Sequence, residues 1–583
     1  MLTATEPGLA TGPGSTLPRL QERIAKPDAV AALTGAGVHP VLARLFAARG
    51  VAAAGELDTE LSGLLPFDLL LNAGAMAQIL ADAIAAGRRL LIVGDYDADG
   101  ATAAAVGCIV LRRFGANVDF LVPNRFEFGY GLTPEIVRVA AERRPDFIVT
   151  VDNGIASFDG IEEARRLGID VLVTDHHLPG AELPRARCIV NPNQPGCGFP
   201  SKHLAGVGVM FYVMLALRAE LRRRGAFAGR SEPNLAEQLD LVALGTVADV
   251  VPLDRNNRIL VTQGLRRIRA GSPRPGIVAL LHAAGRDRSR ASTYDLGFVV
   301  GPRLNAAGRL EDMAVGIECL ITADDAAAME LAGRLDALNR ERREIEADMQ
   351  ASALATLDGI EAGDAASLAL FDPAWHAGVV GLLASRLKER FHRPTICFAA
   401  GPGGELKGSG RSIPPLHLRD ALDLVDRHHP GLMIRFGGHA AAAGVSLREE
   451  AVERFRAAFE SVVRRMLSPA DLERVVEVDG SLSEDELTLP VAEALREQVW
   501  GQGFAPPLFH DDFRIQDQRV VGGRHLKLKV RRADERSAPP LEAMLFGQDT
   551  PLPERISATY RLDVNEWNGA RTIQLVLDRW QPA

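Results

Sequence analysis

The sequence predicts an α/β protein: two α/β domains joined by a long helix and followed by a C-terminal β-barrel or sandwich. Three observations carry this. Between about residues 88 and 192, short aliphatic runs alternate with helix-like stretches, the pattern of a mostly parallel sheet wrapped by helices. From 326 to 357 a charged stretch sets Leu331, Leu335, Leu338, Ile345 and Met349 on one narrow stripe, as in a helix that bridges two domains. Beyond about 470 come short alternating runs with turn residues, among them RHLKLKV (524–530) and the hairpin signal Asn568-Gly569.

Composition bounds the function. With 583 residues, 47% hydrophobic and 24% charged, the chain has the balance of a globular protein, which excludes a disordered or fibrous one. At ~150 residues per domain it holds three or four domains. The longest apolar run, 204–217, falls short of the ~20 residues of a membrane span and predicts a buried core helix. The N-terminus has no basic patch followed by an apolar segment, so a cytoplasmic chain with no membrane association is expected, with residues 1–28 as a disordered tail. Five scattered cysteines without a C-x-x-C pair indicate neither a disulfide framework nor a thiolate zinc site. A net charge of −9 argues against a protein that coats nucleic acid everywhere and leaves room for a local basic groove.

The strand candidates of the first domain are LLIV (90–93), VDFLV (118–122), FIVTV (147–151), VLVT (171–174) and CIV (188–190). Three of them end in GDYDADG, DNG and DHH. Ligands of open parallel sheets bind outside the carboxyl ends of the strands, so these three loops are expected to converge in space. The second α/β unit begins with SLALF (367–371), continues through HAGVVGLLASRLKER (376–390) and has Gly-rich loops around Gly408 and Gly437.

Asp95, Asp97 and Asp99 alternate within one loop, and Gly100 is read as a sharp turn into a helix beginning near Thr102. Three carboxylates this close repel unless a cation or a proton offsets them. Taken alone, D-x-D-G and Asp152-Asn153-Gly154 also read as turns, and no Glu completes a calcium loop, since its twelfth position is Val106. Asp175-His176-His177 adds two imidazoles. Neighbouring residues of an extended chain face opposite sides, so one histidine is expected on a metal and the other toward substrate. Asp249, in GTVADVVPL, is a further loop carboxylate. Oxygen donors with imidazole and no thiolate favour Mn²⁺ or Mg²⁺, and several carboxylates suit two ions ~3.5 to 4 Å apart. Such a pair hydrolyses phosphodiesters or pyrophosphates.

In their order and contexts, GDYDADG, DNG, DHH and GTVADVVPL resemble the four motifs of the DHH phosphoesterase superfamily. GPRLNAAGRL (301–310), LNRERREIE (338–346), HAGVVGLLASRL, SGRS (409–412) and GGHAAAAG (437–444) are similar to the RecJ branch, bacterial exonucleases specific for single-stranded DNA. The resemblance covers roughly 85–583. It implies an N-terminal helical region at 29–84, a DHH catalytic domain at 85–325, a linker helix at 326–360, a DHH-associated substrate-binding domain at 361–465 and an OB-fold nucleic-acid-binding barrel at 466–583.

The resemblance also implies roles. Asp97, Asp99, Asp152, His176 and Asp249 would ligate the metals, with Asp95 supporting or ligating. His177 would contact the scissile phosphate, and in-line hydrolysis would form no covalent enzyme intermediate. Ser409, Arg411, Gly437, Gly438 and His439 would bind substrate phosphate, while Arg125 and Arg303 would hold its 5′ end. Lys527, Lys529 and Arg531 alternate on one face of a strand, and Phe504, Phe509, Phe513 and Trp567 are available for stacking or for core. The activity implied is a 5′ to 3′ exonuclease on single-stranded DNA, releasing 5′-mononucleotides in repair and recombination. The expected chain is a monomer with single-strand-binding protein and a RecQ-type helicase as partners. Two alternatives are a DHH phosphodiesterase acting on short RNA or cyclic dinucleotides, against which the basic barrel weighs, and a non-catalytic scaffold, which predicts lost motif carboxylates where all are present.

Overall fold

A computed structural model describes residues 18–122, 131–357, 364–378, 380–438, 440–534, 539–567 and 569–583. Strand β1 (Arg19–Glu22) precedes the first sheet, which comprises β2 (Arg89–Gly94), β3 (Asn117–Leu121), β4 (Phe147–Val151), β5 (Asp170–Thr174) and β6 (Cys188–Val190). Its order is β3-β2-β4-β5-β6, every pair is parallel, and the strands coincide with the aliphatic runs. Alternation along the strands divides the core. Leu91, Val93, Ile148, Val171 and Val173 pack with Ile136, Val137 and Ile161 of the helices Pro134–Glu142 and Phe158–Arg166. Leu90, Ile92, Val149, Val151 and Leu172 face the helices Ala98–Arg113, Gly206–Arg223 and Leu239–Ala248. A sheet apolar on both faces is buried by helices on both, leaving the carboxyl ends of its strands as the open edge.

The helix Asp325–Leu357 leaves this domain. Ala328, Ala332 and Leu335 bury against the first core, with Leu331 and Leu338 packed beside them, whereas Ile345 packs against Trp375, Leu383 and Leu387 of the second domain. The predicted bridging stripe thus serves two cores in succession, and Met349's side chain lies outside the described residues.

The second domain holds β7 (Leu368–Phe371), β8 (Thr395–Ala400), β9 (Glu405–Arg411), β10 (Arg435–Gly438) and β11 (Ala442–Arg448) in the order β10-β11-β9-β8-β7. Only β7 and β8 pair in parallel. The helix Val380–Phe391 covers one face, and Leu418–His428 with Val452–Met466 covers the other.

After β12 (Val475–Val478), the strands β13 (Phe509–Val521), β14 (His525–Arg532), β15 (Leu541–Phe546), β16 (Arg555–Trp567) and β17 (Ala570–Pro582) close a barrel in the order β13-β14-β15-β17-β16. Closure decides between the two sequence readings in favour of the barrel. β16 and β17 form the hairpin signalled by Asn568-Gly569: Trp567 pairs with Ala570, and Gly569 takes φ 80°.

Residues 18–28 correct the expectation of a disordered tail over 1–28. β1 pairs in parallel with β12, Arg23 bonds Asp479 at 3.1 Å, and a helix begins at Pro27. A strand finds its partner far away in sequence, so local composition gave no sign of it. Arg49 and Asp479, both buried, pair at 2.8 Å, and Phe46, Trp500 and Phe504 stack beside them. The N-terminal region therefore packs on the segment that leads into the barrel. Among the described residues no single helix is long and apolar enough to cross a membrane.

Candidate active site

The loops of Asp95–Asp99, Asp152 and Asp175–His177 leave the carboxyl ends of β2, β4 and β5, whereas Asp249 caps the C-terminus of the helix Leu239–Ala248. The helix after β2 starts at Ala98, earlier than the expected start near Thr102, because Asp97 is its N-cap and accepts the Gly100 N–H at 3.0 Å. Asp97 and Asp99 consequently sit at the helix's positive end. Gly100 lies inside the first turn rather than before it. A Cβ there would stand 2.6 Å from the Asp95 carbonyl oxygen, so glycine is required by proximity.

Asp99 is buried and accepts the N–H groups of Gly206 at 2.6 Å and Val207 at 2.9 Å, the first turn of the helix Gly206–Arg223. The apolar run read from sequence as core is thus also a carboxylate cradle. A Cβ on Gly206 would fall 2.7 Å from Asp152 Cβ and Oδ1, and one on Gly245 2.9 Å from Asp99 Oδ1.

Asp152 takes φ 62°, a left-handed conformation rare for a residue with a side chain. Its N–H donates to Thr174 O at 3.0 Å, and Asn153 Nδ2 donates to the carbonyls of Val93 at 3.2 Å and Val151 at 2.9 Å, tying the strand ends together. Gly154 follows at φ 114°. The D-N-G turn is strained in order to aim one carboxylate.

The two histidines do not divide between opposite sides as expected. The chain ceases to be extended at Thr174 and wraps around buried Asp175, whose Oδ1 accepts from His176 N at 2.7 Å and His177 N at 3.1 Å and lies 2.8 Å from His177 Nδ1. The ring centroids are 4.6 Å apart. His176 Nε2 lies 3.0 Å from Asp152 Oδ1, 3.5 Å from Asp249 Oδ2 and 3.9 Å from Asp99 Oδ2.

Three groups of donor atoms mutually within 4.8 Å result: Asp95, Asp97 and Asp152; Asp99, His176 and Asp249; and Asp152, His176 and His177. Asp152 and His176 each belong to two of them. Among the described residues, Asp152 Oδ1 and Asp249 Oδ2 are buried and accept no hydrogen bond. Burial, then the neighbouring carboxylates, raises the pKa of Asp152 and Asp249 well above the usual range. Asp99 is raised by burial and by Asp97. For His177 burial opposes the charge, but the bond to Asp175 and the negative field of Asp175, Asp95 and Asp97 outweigh it, raising the imidazole to about 9. Buried oxygens turned toward a common space with one or two imidazoles fit hard divalent cations.

Residues 89–246 match the profile of the DHH family, N-terminal domain, 364–465 that of the DHHA1 domain and 478–579 that of the RecJ OB domain. The single-stranded-DNA-specific exonuclease RecJ of Dickeya dadantii is 54% identical over 554 residues, covering 93% of this chain and 96% of that protein. Its counterpart in Escherichia coli is 52% identical over 559 residues, covering 94% and 96%. The chain belongs to the RecJ family. The RecJ of Thermus thermophilus, solved in complex with Mn²⁺, superposes with a TM-score of 0.79 at 31% identity, covering 97% of this chain and 80% of that one. The resemblance drawn from the motifs is thereby shown, and with it a RecJ fold of DHH, DHHA1 and OB domains.

The remaining expected RecJ residues lie elsewhere. Ser409 and Arg411 share β9, with Arg411 Nη1 donating to Ser409 Oγ at 3.2 Å. Gly437, Gly444 and Ser409 stand in register across β10, β11 and β9; among the described residues a Cβ on Gly437 would meet nothing within 4 Å, and one on Gly444 only the Gly408 carbonyl oxygen at 3.9 Å. Gly438 takes φ 140°. Arg303, expected to hold the 5′ end, is buried, bonding Asp336 at 2.8 and 3.0 Å and the Val299 carbonyl at 2.6 Å. Arg125 and His439 lie outside the described residues. Phe504, Phe509 and Phe513 are core, and Trp567's side chain is not described. Lys527, Lys529 and Arg531 alternate with buried Leu526, Leu528 and Val530, but Lys527 is tied to Glu542 at 2.6 Å. The sequence reading missed Gly206, Gly245 and Asn153, whose only signals were small residues and an amide beside motif acids.

Proposed function

We propose that this chain is a metal-dependent exonuclease that degrades single-stranded DNA from the 5′ end and releases 5′-mononucleotides. The observation that carries the reading is the meeting of Asp95, Asp97, Asp99, Asp152, Asp249 and His176 from four separate loops in one buried, mutually repelling cluster. Cations or retained protons must offset the repulsion in such a cluster, and only cations make it useful for hydrolysis.

Asp95, Asp97 and Asp152 would hold one Mn²⁺ or Mg²⁺, and Asp99, His176 and Asp249 a second. The bound pair supplies Lewis acidity and lowers the pKa of water for in-line attack on a phosphodiester. His177, oriented by Asp175, is placed to donate to the scissile phosphate and stabilise its developing charge. Arg411 and Ser409, with the exposed backbone of Gly437 and Gly438, form a platform for the terminal phosphate. A filled terminal pocket accounts for polarity, because a strand without an end cannot enter it. Lys527 and Lys529 line the barrel face along which the strand runs.

We infer a monomer, with single-strand-binding protein and a RecQ-type helicase as partners and the cytoplasm as compartment; the family relation supports these. The reading is tested with Mn²⁺ and single strands labelled at the 5′ or 3′ end, circular single strands and duplex. Stepwise loss of 5′ label from linear single strands, abolished in Asp97→Ala, is expected. Degraded circles, or an unimpaired variant, would refute it.

A further inference from the structure

The helix Gly301–Leu310 presses on the first acidic loop at neighbouring peptide groups. Asn305 Oδ1 accepts the Ala98 N–H at 2.7 Å. Gly308, on the next turn, lies so near the Tyr96 carbonyl that a Cβ would stand 2.0 Å from its oxygen. Ala98 opens the helix capped by Asp97, so its N–H is one of the amides for which no intrahelical carbonyl exists. Asp97's side chain already takes Gly100 N–H, and Asp97's carbonyl takes Ala101 N–H at 2.9 Å. Left alone, the Ala98 amide would draw on the strong acceptors of its own loop, the carboxylates of Asp95 and Asp97. A neutral amide oxygen from another helix answers it instead. Both carboxylates remain grouped with Asp152.

We propose that Asn305 is a positioning residue for metal binding: it satisfies the Ala98 amide so that Asp95 and Asp97 stay turned toward Asp152, and it thereby sets the affinity of that metal position without touching metal or DNA. The inference rests on the metal-site reading above. The helix that carries it is backed from behind, since Arg303 anchors it to Asp336 of the long helix. The N-A-A-G stretch is then a strut that meets the loop twice, through an amide acceptor and through a glycine that admits a carbonyl.

The test uses metal-stripped full-length protein. Mn²⁺ binding is followed from the paramagnetic resonance signal of free Mn²⁺, alongside the Mn²⁺ dependence of exonuclease activity. Asn305→Leu keeps the approximate size and removes the acceptor; Asn305→Asp keeps the acceptor. Loss of a group that orients a ligand typically weakens metal binding ~10- to 100-fold. Asn305→Leu should show that loss, recover kcat at high Mn²⁺ and keep its KM for DNA, while Asn305→Asp should bind within a few-fold of wild type. Should Asn305→Leu fail to fold, Asn305→Ser, whose hydroxyl is too short to reach, is expected to show the same weakening. Unaltered Mn²⁺ binding in a folded Leu or Ser variant overturns this inference alone. Failure of the wild type to bind Mn²⁺ overturns the metal-site reading and the inference with it.

Discussion

The Arg303 guanidinium lies 2.8 Å from Asp336 Oδ1, joining the helix that abuts the acidic loop to the helix that spans the two α/β domains. Burial lowers the arginine's pKa while Asp336 supports its charge, a balance that holds only while the pair is intact. Removing the partner of a buried charge costs about 3 kcal/mol because the charge is stranded. Asp336→Ala strands buried Arg303 and is expected to lower the unfolding free energy by about that amount, whereas Arg303→Ala leaves half-buried Asp336 paired with Arg340 at 3.3 Å and should cost less, with the double variant losing little more than Asp336→Ala. Urea titration of all three measures the coupling. An Arg303→Ala protein of unchanged stability that fails only on 5′-phosphorylated strands would make Arg303 a substrate contact instead.

Beyond its burial, Asp152 is opposed by four neighbouring carboxylates, Asp99, Asp97, Asp249 and Asp95. Asp152→Asn should abolish activity, by roughly 10³-fold or more in kcat if about 4 kcal/mol of charge stabilisation is removed. The same change relieves repulsion in the metal-free protein and should stabilise it by about 1 kcal/mol. Thermal melts in chelator, compared with melts in Mn²⁺, separate the effects: the variant melts above wild type in the first and below it in the second.

These acids also fix a pH dependence. Burial and Asp97 raise folded Asp99 to about 7, against ~3.9 when unfolded. An acid raised in this way contributes stability that is fully present below its unfolded value and is lost as pH rises through its folded value. The metal-free protein should therefore lose stability between about pH 4 and pH 7. Mn²⁺ must displace the retained protons, so it should release more of them at about pH 6 than at about pH 8. Calorimetry in buffers of different ionisation enthalpy counts the protons; equal release at both pH values would contradict the assignment.

The barrel makes a weaker, separable contribution. Lys529 is exposed, whereas Lys527 is held by Glu542. Lys529→Ala should raise KM for long single strands and flatten the salt dependence of binding by roughly 0.7 for each phosphate it no longer neutralises, with kcat unchanged. Lys527→Ala should do less. Filter binding across a salt series would show it.

Much of this was legible in the sequence because the signals were local. Aliphatic runs ending in acids gave the parallel sheet and the convergence of its loops, since side-chain period and the strand-end rule need no knowledge of distant residues. What escaped was long-range. β1 pairs with a strand hundreds of residues away, Arg303 meets Asp336 only after two helices cross, and Asn305 meets Ala98 only once its helix docks. For the histidines only the alternation was assumed one residue too far: Asp175 collects both backbone amides, bends the chain there and brings the two rings within 4.6 Å.

Anomalous diffraction at the manganese edge, on crystals soaked in Mn²⁺, tests whether acids from distant loops enclose a pair of cations. Two peaks ~3.5 to 4 Å apart are expected, one against Asp95, Asp97 and Asp152 and one against Asp99, His176 and Asp249. Peaks elsewhere, or none among these side chains, would contradict that arrangement.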